Sequence, residues 1–236
     1  MTLGRCTLVA ALTAALVLAA AQTAGADGSS NASLAGEELL VQDVTLTAID
    51  CDASRVSTVS YSASGVATGP YPGPFTVAGT VTIEPQTQPG PRPGTVAGPL
   101  ASLSETFTIN SATGTVTGTK SLPLTGPGAG DLGSCQTVTG FDTGPVTNAS
   151  GTVVDVFSQP VYTATITDPS GTTSVTGDAS LSFTELNLQG TCGLVACDFR
   201  QAAFDQFFQT STPVQCDDDT NGQGNEDPGC QGEDQP

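Results

Sequence analysis

The chain has 236 residues, with 23 acidic side chains, five basic ones and no histidine, for a formal net charge of −18. This balance repels phosphate backbones and anionic lipid surfaces, which argues against nucleic-acid binding and against attachment to a membrane surface. Without histidine there is no Ser-His-Asp or Cys-His arrangement, and neither a GxGxxG nor a P-loop pattern occurs.

The first 26 residues have the layout of an export signal. Arg5 lies in a short leading segment, Leu8–Ala21 is an apolar run, and Ala24-Gly25-Ala26 supplies a small-x-small cleavage pattern. The run is shorter than the ~18–20 apolar residues that a spanning helix needs, and no later stretch approaches that length, so cleavage near Ala26, a secreted, extracellular product and no stable membrane insertion are expected. Cys6 leaves with the signal. Cys51, Cys135, Cys192, Cys197, Cys216 and Cys230 remain, an even number that reads as disulfides in an exported chain. The expected pairs are Cys51–Cys135, Cys192–Cys197 and Cys216–Cys230. The last has the most support, because it closes a hydrophilic loop with few other anchors. Residues 27–36 lack apolar periodicity and are expected to form a flexible N-terminal segment.

Residues 37–210 alternate apolar and hydroxyl side chains, which predicts a single all-β domain. In PFTVAGTVTIE, Phe75, Val77, Gly79, Val81 and Ile83 share one face, and Thr76, Thr80 and Thr82 the other. A period of two marks half-buried antiparallel strands. Punctuated by turns such as GPYPGP, NSATG and DPSG, the pattern gives about eight strands, near 39–50, 56–68, 74–84, 99–110, 114–124, 135–146, 153–167 and 172–188. Short connections favour an antiparallel meander, closed as a barrel or folded as a sandwich. After the strands, DFRQAAFDQFF predicts one short helix, with Asp198 as N-cap and Phe199, Ala203, Phe204, Phe207 and Phe208 on its apolar side.

Three charges break the parity of this pattern. Glu105 shares a face with Leu103 and Phe107; Lys120 with Val116, Leu122 and Leu124; Glu185 with Leu181 and Phe183. With NSATG as the hairpin turn, the register pairs Ile109 with Val116, Phe107 with Gly118, and Glu105 with Lys120. A lone ion in a dry core costs several kcal/mol, so pairing is expected. A cross-strand ion pair near a sheet edge satisfies it. The functional alternatives are a polar feature inside a ligand-holding barrel and a catalytic carboxylate pair of Glu105 with Glu185. Glu105, Lys120 and Glu185 are therefore the candidate binding residues.

Other motifs resolve to local chemistry. Leu122-Pro123-Leu124-Thr125-Gly126 resembles a sortase signal, but the following apolar segment and basic end that such a signal requires are missing, and a strand ending at a Pro/Gly turn explains it. Thr-x-Thr pairs recur, but with no fixed interval, so no coil length emerges. Threonine on the wet face of twisted strands accounts for them.

The acidic C-terminal tail, 211–236, is expected to be disordered; it contains CDDDTNGQGNEDPGC. Asp217, Asp219, Asn221 and Gly222 resemble the first half of an EF-hand calcium loop, with alternate oxygens curling round one cation. Glu226 and Asp227 fall near its end, while Pro228 stands where the loop requires a bidentate glutamate. The resemblance implies at most a weak calcium site at Asp217, Asp219, Asn221, Glu226 and Asp227. The chain as a whole reads as a secreted, non-enzymatic β-domain protein that binds or presents something outside the cell. The alternatives are a carrier of small apolar or neutral ligands in a barrel interior, a weak calcium-binding surface protein, and an enzyme with inward carboxylates. A cell-surface partner fits the first of these readings.

Overall fold

A computed structural model describes residues 32–123 and 131–213. Every regular element in these residues is a strand. Ten long strands form, namely β1 (Glu38–Asp50), β2 (Ser57–Thr68), β3 (Gly73–Ile83), β5 (Val96–Ser111), β6 (Gly114–Ser121), β7 (Leu132–Thr143), β8 (Val146–Ser158), β9 (Val161–Asp168), β10 (Gly171–Cys192) and β11 (Val195–Phe208). Two short bridges, β4 (Gln88–Pro89) and β12 (Thr212–Pro213), pair with β5 and β10.

The antiparallel pairings run β1–β2–β3–β5–β6–β9–β10–β11 and return from β11 to β1, which closes a barrel. Strand β10 is unusually long and changes partner along its length. Gly171–Asp178 pairs with β9, and Leu181–Thr191 pairs with β8. Strand β5 does the reverse, pairing with β6 from Ser104 onward and with β7 at Gly98 and Pro99. The β7–β8 hairpin thus takes the place of β6 and β9 at one end of the wall. Alternation explains the interior: Tyr61, Phe75, Val77, Phe107, Ile109, Tyr162, Phe183, Phe204 and Phe208 belong to one buried core. A second, smaller cluster forms around Val138, Val153, Leu186 and Leu188, beside the Cys192–Cys197 bridge.

Three expectations need correction. Residues 195–208 form strand β11, not a helix, and pair with β10 throughout, from Cys192↔Val195 to Ala179↔Phe208. The tight turn at Gly193 (φ 63°) and the Cys192–Cys197 disulfide return the chain directly onto β10, so an open strand edge prevails over helical propensity. Second, the single strand expected over 153–167 is two, divided at Gln159-Pro160, because proline cannot donate to a ladder. Third, the described part of the segment expected to be flexible is packed. Leu34 is fully buried in the core, and the Gly36 amide donates to Phe208 O.

Candidate functional site

The charges that break parity do so because they point into the barrel. Glu105 and Lys120 face each other in the expected register, flanked by Phe107↔Gly118 and Ile109↔Val116. Both side chains are sealed from solvent, and Lys120 Nζ lies 3.2 Å from Glu105 Oε1. The pair is in the barrel interior and not at a sheet edge.

Two further side chains complete the cluster. Tyr61 on β2 donates its hydroxyl to Glu105 Oε2 at 2.6 Å, and Gln206 on β11 donates Nε2 to the same oxygen at 2.6 Å. Aromatic rings surround them. Tyr61 stacks on Phe183 at 5.3 Å between centroids and tilts against Phe204 at 5.6 Å. Phe208 meets Phe107 and Tyr162 edge-on at 5.3 and 4.9 Å. The Lys120 ammonium lies over Phe208 at 4.4 Å and over Phe107 at 4.9 Å, so ring faces take up part of its charge. The Tyr162 hydroxyl donates to Thr210 O, near the barrel end.

Burial sets the electrostatics of the cluster. It draws the Lys120 amine below the usual lysine range, with Glu105 opposing that shift. It pushes the Tyr61 phenol well up, and the adjacent Glu105 carboxylate pushes in the same direction. Lys120 Nζ and Glu105 Oε1 are close but not aligned as a hydrogen bond, and Gln206 Oε1 has no hydrogen-bond partner among the described residues. Each unpaired buried polar atom costs about 1–3 kcal/mol.

Glu185 does not join this group. It is buried on the part of β10 that faces β8 and β11, and its Oε1 accepts from Arg200 Nε at 2.9 Å. Arg200 also donates to Val44 O, bridging β11 to β1 beyond the short stretch where those strands are paired. Glu105 and Glu185, the pair of the alternative catalytic reading, share no partner among the described residues. The bridges Cys51–Cys135 and Cys192–Cys197 form as expected. Cys216, Cys230 and the calcium candidates Asp217, Asp219, Asn221, Glu226 and Asp227 lie outside the described residues, as does the export signal. Among the described residues no group of three or more His, Cys, Asp or Glu is placed to hold a metal ion.

Sequence reasoning missed two polar sites. Gln206 was hidden by the helical assignment; read as a strand, Phe204, Gln206 and Phe208 share the inward face. Asp155 stands between Val154 and Val156, and it is buried against Arg92 (3.0 Å) and Thr184 (2.8 Å). Burial raises its pKa, with the Arg92 and Thr184 hydrogen bonds opposing. Asp155 borders an outer depression of about 280 Å³ with Pro91, Leu132 and Phe157.

The outer wall is a third feature. Across the pairings Ser64, Thr76, Thr108, Thr117, Thr165 and Ser174 fall in one row. Ser62, Ala78, Thr106, Thr119, Thr163 and Thr176 form the next. Hairpin register thus aligns Thr pairs that have no regular spacing in sequence, and neither row contains a charge. Comparison with protein-family models, with curated proteins and with solved structures finds no match to this chain.

Proposed function

We propose that this chain is an exported, non-enzymatic β-barrel scaffold that acts through its outer wall and not through its interior. One observation carries the reading: the space a carrier would give to a ligand is occupied by the protein's own rings and by the sealed Tyr61–Glu105–Lys120–Gln206 cluster. A substrate or ligand would have to displace contacting aromatic rings to reach Glu105 or Lys120. The two disulfides suit an oxidising compartment. The uncharged hydroxyl rows, in a chain of net charge −18, offer a neutral hydrogen-bonding surface to neutral material outside the cell.

Native mass spectrometry of the purified chain after incubation with a fatty acid, a retinoid and a sterol tests this reading. The bare chain is the expected species for all three. A one-to-one complex that survives dilution, and that is lost on replacing an interior residue such as Phe183, would overturn the proposal in favour of a carrier.

A further inference from the structure

Three residues at the centre of the barrel are the parts of an acyl transfer: an amine, a carboxamide and a carboxyl group that touches both. Lys120 Nζ lies 3.2 Å from Glu105 Oε1, and Gln206 Nε2 lies 2.6 Å from Glu105 Oε2. We propose that Lys120 and Gln206 become joined by an amide bond, with Glu105 shuttling protons between their nitrogens. This staples β6 to β11 across the barrel interior.

The geometry assigns each group its part. One carboxylate spans the nitrogen that attacks and the nitrogen that leaves, so a single group can take a proton from the first and return one to the second. Phe208, two residues along the same inward face of β11 from Gln206, holds Nζ 4.4 Å above its ring. That ring places the amine beside the strand that carries the carboxamide. The Tyr61 hydroxyl, 2.6 Å from Glu105 Oε2, fixes the orientation of the carboxyl group. Gln206 Oε1 is buried without a hydrogen-bond partner among the described residues. The ion pair alone leaves this oxygen unsatisfied. Burial also favours the free amine of Lys120, the nucleophilic form. Holding the reacting groups together in the sealed interior removes the entropic cost of bringing them together.

The step balances without any added reagent. The Lys120 ammonium first passes one proton to Glu105, leaving a neutral amine and a neutral acid. The Nζ lone pair then attacks Cδ of Gln206, and the carbonyl π electrons move to Oε1. Glu105 delivers its proton to Nε2 and takes the second from Nζ. The C–Nε2 bond breaks with its electron pair on nitrogen, the carbonyl re-forms, and ammonia departs. Nothing is oxidised or reduced. The products are a secondary amide and a Glu105 that holds the remaining proton, which it can donate to the amide oxygen. A buried ion pair is replaced by neutral groups, and loss of ammonia to solvent makes the step irreversible.

The test is the mass of the purified exported chain, with disulfides reduced, followed by a peptide map. The chain should be lighter than its sequence by one ammonia. The map should contain a branched peptide joining the segments around Lys120 and Gln206, and trypsin should fail to cut after Lys120. K120M and Q206L should each restore the full mass. E105Q should restore it in a chain whose β circular dichroism is unchanged; a folded E105Q that still carries the branched peptide would remove Glu105 from the reaction. The native map decides the bond itself, whether or not a variant folds. Full mass, cleavage after Lys120, ammonia lost elsewhere, or loss of water with Lys120 joined to Glu105 would each overturn the proposal.

Discussion

Glu37 shows how one buried side chain can govern the pH response of this barrel. It is fully buried at the start of the described chain, and its Oε2 accepts the Tyr71 amide at 2.8 Å while Oε1 has no hydrogen-bond partner among the described residues. Burial pushes its pKa from 4.5 to about 7, with the Tyr71 hydrogen bond opposing. An acid whose native pKa is raised binds its proton more tightly folded than unfolded. Stability is therefore greatest below the unfolded pKa of 4.5 and falls as the pH rises through about 7. The fall attributable to Glu37 is at most about 3 kcal/mol, from the size of that shift. Glu37→Gln keeps an acceptor for the Tyr71 amide and removes the titration. Urea unfolding should give similar stabilities for the two chains at pH 4 and a more stable variant at pH 8. Parallel curves across that range would show that Glu37 is not the titrating group.

At the scale of strand pairs, the barrel fills its interior by setting large rings opposite glycines. Tyr61 pairs with Gly79 and Phe107 with Gly118, and each ring lies over its glycine. A Cβ at Gly79 would stand 2.5 Å from Tyr61 Cζ, and one at Gly118 would stand 2.5 Å from Phe107 Cζ. Both rings belong to the network around Glu105 and Lys120, so they have little room to yield. Gly79→Ala and Gly118→Ala should each cost about 1–3 kcal/mol by overpacking, read as a lower unfolding midpoint. Thr117→Ala, on the outer face of the same strand, should change it by less than about 0.5 kcal/mol. Equal effects at all three positions would mean that the interior is looser than these contacts imply. The pairing of Glu105 with Lys120 was legible in sequence because NSATG fixes the hairpin register and parity then places every residue. Gln206 was not, because four phenylalanines over 199–208 satisfy a helical period, while only Phe204 and Phe208 keep the parity of the inward strand face. Only the unpaired edge of β10 decides between them. The split at Pro160 left a local sign in sequence. The closure of β11 onto β1 left none, since it joins the two ends of the domain.

Across the whole molecule, the barrel depends on how firmly β7 is joined to the rest of the wall. Its ladder to β5 is only two pairs, Gly98↔Gly133 and Pro99↔Leu132. Beyond them, Gln86 reaches over from the loop after β3. Its Oε1 accepts the Cys135 amide and its Nε2 donates to Cys135 O, as a neighbouring strand would. The Cys51–Cys135 disulfide adds a covalent tie from the end of β1 to the same residue, across 84 positions of chain, against five for Cys192–Cys197. In the chain-entropy account, a crosslink stabilises by restricting the unfolded state, and more so for longer loops. That account gives about 4–5 kcal/mol for the long loop and about 2 kcal/mol for the short one. Replacing Cys51 and Cys135 together by alanine should therefore lower stability about twice as much as replacing Cys192 and Cys197. The two losses should also differ in place. Without the long bridge, hydrogen exchange should accelerate first in β7 and β8, whose outer edge is then held by two ladder pairs, by Gln86 and by the side-chain hydrogen bonds of Ser134 and Gln136 with Val96, while β2, β3 and β6 keep their protection. Without the short bridge, faster exchange should be confined to the β10–β11 turn. If both variants lost the same stability, or if exchange rose evenly over the barrel, β7 would have to be anchored by contacts other than these.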